Sequence, residues 1–159
     1  MVNLSSKTNA MRILDAKSIG YEILTYDAGD GKIDGVTVAG KINKPPEMVY
    51  KTLVAHREQR LYIFVIPVAG ELDLKKAAKA AGEKKLELLP VKDIQKYTGY
   101  IRGGCSPIGM KKTYPTYIDS SVLKIQKIIV SAGKIGTQME IEQLQLAEVV
   151  RAEYIDLVK

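Results

Sequence analysis

Apolar and polar positions along this chain change period several times, and the changes divide it into strands and helices. "YEILTYD" (21–27) alternates with the two-residue period of a short strand, and "MVYKTLVAH" (48–56) does the same over a longer run. "LYIFVIPVA" (61–69) is apolar on both faces, as a central strand buried on each side should be, and only the charged turn "REQR" separates it from the strand before. These two predict the core hairpin. "KKLELLPV", "TYPTYID", "KIIVSAG", "TQMEIE" and "EYIDLV" read as further short strands.

Helical periods lie between them. "TNAMRILDAKSIG" predicts a first helix capped by Thr8 or Asn9, with Ile13 and Leu14 on its apolar stripe and Gly20 at its end. "ELDLKKAAKAAG" has Asp73 at its start and Gly82 at its end; "VKDIQKYTG" makes a turn or two, and "QLQLAEVVRA" a late helix. The glycine- and proline-broken stretch "AGDGKIDGVTVAGKINKPPE" has room for a short helix over about 34–42 and reads as a lid or flap. Seven or eight strands with three or four helices, lacking a regular βαβ repeat, predict a single α+β domain over residues 1–159 built around a mixed, curved sheet.

Composition narrows the chemistry. The chain has 159 residues, 46% of them apolar, enough for one continuous core. Its aromatic content is nine tyrosines and one phenylalanine, side chains that pack a ring while offering a hydroxyl. A single cysteine rules out an internal disulfide and a Cys-built zinc site, and fits a reducing cytoplasm. No apolar run is long enough for a membrane helix, and the N-terminal stretch has no signal-peptide pattern. With 24 Lys and Arg against 18 Asp and Glu the net charge is +6, and "LKKAAKAAGEKK" concentrates Lys75, Lys76, Lys79, Lys84 and Lys85. That cluster reads as a solvated helix face or as a polyanion contact.

Three features carry candidate chemistry. Strand alternation puts Lys51 on the face of Val49 and Leu53, where its ammonium must reach solvent, meet a carboxylate, or face a pocket for an anionic or carbonyl ligand. "GYIRGGCSPIGMKK" (99–112) is neither a P-loop nor a dinucleotide fingerprint; it is an ordinary turn or a loop whose glycines bring backbone N–H groups up to a substrate oxygen. "VSAGKIGTQMEI" adds a second glycine turn containing Ser131. The lone His56 ends a strand with no triad partner in view, and Glu140 and Glu142 alternate on a face taken as surface. Cys105 reads as a small apolar filler beside the loop.

"VYKTLV", "LDLKKAAKAAGEKKLEL", "TGYIRGGCSPIGMKK" and "IIVSAGKIGTQMEI", in this order and spacing, resemble the YbaK/EbsC family, free-standing relatives of the editing domain of bacterial prolyl-tRNA synthetases. The resemblance spans residues 7–158. It implies a barrel-like curved sheet flanked by helices, and a cytoplasmic trans-editing deacylase that hydrolyses the ester of a mischarged tRNA, foremost Cys-tRNA(Pro). No cofactor or metal is implied; tRNA is the implied partner, with prolyl-tRNA synthetase as a second. Carried over by position, the family's lysine is Lys51, taken as catalytic. Tyr26, Thr52, Gly103, Gly104, Ser106, Pro107 and Ser131 are carried over as substrate-binding residues. Ile135 stands where many relatives have a basic residue, and Gln138 near where the cysteine-specific branch has Asp or Ser. A catalytically silent tRNA- or synthetase-binding module and a hydrolase of small esters or thioesters are the alternative readings.

Overall fold

Among the described residues eight strands form two sheets that meet at one corner. The computed structural model describes residues 7–159. β1 (Glu22–Thr25), β7 (Thr137–Glu142) and β6 (Lys127–Lys134) make an antiparallel three-stranded sheet in that order. The second sheet runs β4 (Glu87–Leu88), β2 (Tyr50–Arg57), β3 (Arg60–Pro67), β5 (Thr116–Asp119), β8 (Glu153–Ile155), with β2 antiparallel to β3 and β4, and β5 parallel to both its neighbours. A single parallel bridge, Val49 to Ile129, joins the sheets. The α+β class and the mixed sheet follow the expectation; the barrel does not close, because the strands divide between two sheets with only that bridge between them.

The apolar run of β3 explains its central position. Leu61 through Ile66 are all buried, at about 1.5–3 kcal/mol for each large side chain. On one face Ile63 and Val65 join Val54, Val130, Met139 and Ile141 in the main core between the sheets. On the other, Phe64 and Ile66 pack with Ala77 and Ala78 of α3 (Leu74–Ala81), and Phe64 stacks on Tyr117 with ring centroids 5.4 Å apart. Asp73 caps α3 by accepting from the N–H groups of Lys75 and Lys76, and Gly82 ends it at φ 71°. A smaller cluster lies on the outer face of the three-stranded sheet, where Ala39 and Ile42 cover Val49, Val68, Ile129, Leu24 and Tyr26.

The other helices are α1 (Asn9–Ala16), α2 (Gly35–Lys41), α4 (Val91–Thr98) and α5 (Gln143–Val150). Thr8 and Asp34 cap α1 and α2 through their side chains. α1 stops short of Gly20: Ser18 takes φ 57° and Ile19 N–H closes on Leu14 O at 2.9 Å, so a serine provides the left-handed exit expected of the glycine. The strand expected in "KKLELLPV" shrinks to two residues because β4 pairs only with Ala55 and His56. Among the described residues no helix is long and apolar enough to cross a membrane.

Candidate active site

The corner between the sheets positions the site. Val49 bridges to Ile129, and the chain enters β2 at once, so Lys51 and Thr52 stand beside the seam. Lys51 lies opposite Ile66 and Thr52 opposite Val65, which puts them on opposite faces. Lys51 is half-buried, and among the described residues its ammonium has no hydrogen-bond or ion-pair partner. Of the readings open for it, a carboxylate partner is therefore not the one realised. The Thr52 hydroxyl is buried without a partner as well.

Both glycine loops reach this corner. Gly103 adopts φ 86°, a region in which side chains are strained, and among the described residues its N–H meets no backbone carbonyl; Gly104 N–H closes a turn on Ile101 O at 2.9 Å. A Cβ on Gly104 would lie 2.8 Å from the nitrogen of Ile135, so the loops pack backbone against backbone. The first loop is braced from behind by Tyr100, whose hydroxyl donates to Ile108 O at 2.7 Å, and by the Asn9 amide, which donates to Gly109 O at 2.7 Å. In the second loop the Ser131 hydroxyl accepts from Gly133 N–H at 3.2 Å, where the β6–β7 register shifts between Ser131 and Lys134. Thr8 Oγ1 donates to Ala132 O at 2.5 Å and ties this bulge to the start of α1.

These parts line a half-open cavity of about 100 Å³. Lys51, Thr52 and Tyr50 come from β2, Gly103 and Cys105 from the first loop, and Ser131 and Gln138 from the small sheet. Ile33, Gly35 and Val38 roof it from the flap, and Val49 and Val68 make its apolar floor. The roof is held together by the Lys41 ammonium, which donates to Asp27 O, Asp30 Oδ1 and Lys32 O at 2.7, 2.8 and 3.0 Å. A Cβ on Gly35 would collide with Val68, so α2 can start this close to the floor only with glycine there.

Four of the eight expected residues, Lys51, Thr52, Gly103 and Ser131, line the cavity. Tyr26 packs in the adjoining apolar cluster, its hydroxyl buried without a partner and its ring 5.9 Å from the Lys41 ammonium. Gly104 spaces the two loops. Ser106 is fully buried and its hydroxyl accepts from Ile108 N–H inside its own loop; Pro107 lines a different recess. Gln138 and Ile33 line the cavity although neither stood among the expected site residues. The signal for Gln138 was in "TQMEIE", whose polar alternation also places Glu140 on that face. Glu140 is buried, not surface: the flap covers it and its carboxylate lies 3.0 Å from the Lys44 ammonium.

The electrostatics argue against thiolate chemistry. Cys105 borders the cavity, yet burial pushes its thiol up to about 11. His56 points its Nδ1 at Glu58 O, 3.0 Å away at the far end of β2. Among the described residues no group of three or more His, Cys, Asp or Glu side chains is placed to hold a metal ion. The arrangement offers an unpaired ammonium, a free loop amide and uncommitted polar groups around a small apolar-floored recess. It is equipped to hold and polarise a carbonyl.

Comparison with known proteins agrees. Residues 35–149 match the model of the aminoacyl-tRNA editing domain. The chain is 40% identical over 152 residues to EbsC of Enterococcus faecalis, assigned as a Cys-tRNA(Pro)/Cys-tRNA(Cys) deacylase, with 95% of this chain and 93% of that protein covered. It superposes with a TM-score of 0.87 on the crystal structure of a protein assigned as a trans-editing enzyme for prolyl-tRNA synthetase, at 21% identity over 100% of this chain and 99% of the other. The chain belongs to the aminoacyl-tRNA editing domain family.

Proposed function

We propose that the protein is a free-standing aminoacyl-tRNA deacylase acting on Cys-tRNA(Pro), with the ester carbonyl held between Lys51 and the Gly103 loop. The cavity itself carries this reading. At about 100 Å³ it lies well below the ~300 Å³ at which pockets for drug-sized ligands begin, so it can enclose a small acyl group but not the nucleoside that bears it. Cysteine is such a group, and the relative at 40% identity is assigned to cysteinyl esters.

Water, or the substrate's own thiol, attacks the carbonyl carbon, and the carbonyl oxygen becomes an oxyanion. In this reading the Lys51 ammonium and the Gly103 N–H stabilise that charge, and one such donor is worth about 10²–10³ in rate. The bond from the acyl carbon to the ribose oxygen then breaks, and the proton lost by the nucleophile ends on the ribose hydroxyl. No general base is assigned; holding the ester in an attack geometry supplies much of the acceleration. Thr52, Ser131 and Gln138 offer hydroxyl and amide groups to the acyl group, Tyr26 supports the wall behind them, and the flap roofs the recess. Prolyl-tRNA synthetase, as the enzyme that makes the mischarged product, is the natural partner in supply of substrate.

The test is hydrolysis of tRNA(Pro) charged with cysteine, alanine or proline. Loss of the cysteinyl ester with the prolyl ester spared supports the reading. Binding without ester loss would make the protein a recruitment module, and cleavage of small thioesters with indifference to tRNA would make it a small-ester hydrolase.

A further inference from the structure

Behind the glycine loop lies a second and larger recess, about 840 Å³, that the chemistry above does not use. Its walls are the end of α1, residues 107–114 and the end of α5. Three cations line it, Lys17, Lys112 and Arg151, against one carboxylate, Glu148, and among the described residues none of the three cations has an ion-pair partner. Lys17 and Arg151 are the C-cap residues of α1 and α5, where a cation is accounted for by the helix dipole; Lys112 is on no helix, and its convergence with them on one groove needs a further reason. Tyr114 supplies an aromatic lining, with its hydroxyl anchored to Tyr97 O at 2.8 Å so that its ring is fixed in advance.

The groove and the cavity share a wall. Cys105 lines one and Pro107 the other, and two residues of chain span at most about 7 Å. The cavity is too small for a nucleoside, so the polynucleotide attached to the ester must lie outside it, within reach of this loop. We propose that the groove behind the Gly103 loop binds the single-stranded 3′ end of the tRNA, with Lys17, Lys112 and Arg151 on its phosphates and Tyr114 as a stacking platform for a base. This rests on the deacylase reading. It differs from the polyanion-contact reading of the lysine cluster in and after α3: Lys75, Lys79, Lys84 and Lys85 are exposed on the opposite side of the five-stranded sheet and line neither of these two recesses. Basic grooves with aromatic platforms are the usual solution for unpaired nucleic acid.

The experiment compares wild type with Lys17→Glu/Lys112→Glu and, as a control, Lys75→Glu/Lys79→Glu. Lys17→Gln/Lys112→Gln replaces the first pair if charge reversal disturbs the end of α1. Binding of uncharged tRNA(Pro) is measured against salt, and hydrolysis is measured on full-length Cys-tRNA(Pro) and on a cysteinyl-adenosine ester. The groove variant is expected to bind tRNA at least tenfold more weakly, with a log–log salt slope shallower by about 1.4–1.8 for two lost phosphate contacts. It should cleave the adenosine ester at the wild-type rate, and the control should stay near wild type on every measure. Unchanged tRNA affinity and slope in the groove variant would overturn the proposal, as would a larger effect from the α3 control or an equal loss on the adenosine ester. If wild type cleaves neither ester, the deacylase reading fails, while the binding arm still decides the groove.

Discussion

Gly104 and Ile135 meet backbone to backbone, with the place of a Gly104 Cβ 2.8 Å from the Ile135 nitrogen and 2.9 Å from Lys134 Cα. The neighbouring glycine differs in kind. A Cβ on Gly103 would come within 2.8 Å of Ile33 Cδ1, the movable end of a side chain, and the stronger objection is its φ of 86°. Gly104→Ala therefore forces two loops apart, at the ~1–3 kcal/mol typical of overpacking, and should lower Tm by about 2–4 °C per kcal/mol as well as abolish activity. Gly103→Ala carries about 1–2 kcal/mol of backbone strain and fills the cavity mouth, so it should lose most deacylation with a smaller fall in Tm. Thermal melts and single-turnover deacylation of both variants check the difference; equal melting points would refute it.

Lys51→Ala should keep the fold and lose at least about 100-fold in deacylation, the scale of one lost oxyanion donor. Stability is spared because the ammonium has no ion-pair partner among the described residues, so its removal leaves no buried charge behind. Circular dichroism and Tm within about 2 °C of wild type, together with a loss in kcat and no gain in KM, is the expected outcome. A folded variant with normal turnover would remove Lys51 from the site.

How much of this was legible depends on how local the signal was. Asp34 and Asp73 announce their helices because a cap is a contact within one turn, and β3 announces its place because every residue from Leu61 to Ile66 is apolar or aromatic. The resemblance supplied Lys51, Thr52, Gly103 and Ser131, which fall together at the seam. Glu140 was misread because a polar residue on an alternating strand is taken as solvent-facing, whereas it is buried with the Lys44 ammonium of the flap on its carboxylate. Gln138 entered only as a departure from the family's pattern, and the structure puts it in the lining of the cavity. Ser106 and Pro107 sit in the right segment, but their side chains turn away from the cavity, which loop composition cannot reveal.

Arg60 and Tyr62 hold Glu83 by hydrogen bonds from Arg60 Nε at 2.7 Å and from the Tyr62 hydroxyl, fastening the segment after α3 to β3. The Arg60 and Tyr62 hydrogen bonds pull the Glu83 carboxyl down to about 2 from its ordinary value of 4.5. A carboxyl depressed in the folded state binds its proton more readily in the unfolded chain. Its contribution is thus fully present above pH 4.5 and is lost as pH falls toward 2. Glu83→Gln should accordingly lower Tm near neutrality and narrow the gap to wild type as the pH drops through this window. A gap that stayed constant from pH 7 to about 2 would show that the pair contributes nothing pH-dependent.

Cys105 borders the cavity and invites the reading of a cysteine hydrolase, and its surroundings answer it. Burial raises the thiol to about 11, with a weaker opposing pull from the Thr98 hydroxyl, and the side chain is only 9% exposed. At pH 8 a thiol with that value is about one part in a thousand thiolate, whereas catalytic cysteines are held near or below neutrality by a cation or a helix terminus. No imidazole is at hand, since His56 is engaged with Glu58 O at the other end of β2. Cys105→Ala should therefore deacylate within about threefold of wild type and lose a little stability for the small void it leaves. Alkylation of the native protein by iodoacetamide should be slow at pH 7.5 and accelerate about tenfold per pH unit up to pH 10, in step with the thiolate fraction. A plateau in that rate near pH 7 would reveal an activated thiol. If Cys105→Ala were folded but inactive and an acyl group could be trapped on the wild-type sulfur, the nucleophile would be Cys105, and the glycine loop would serve to position it.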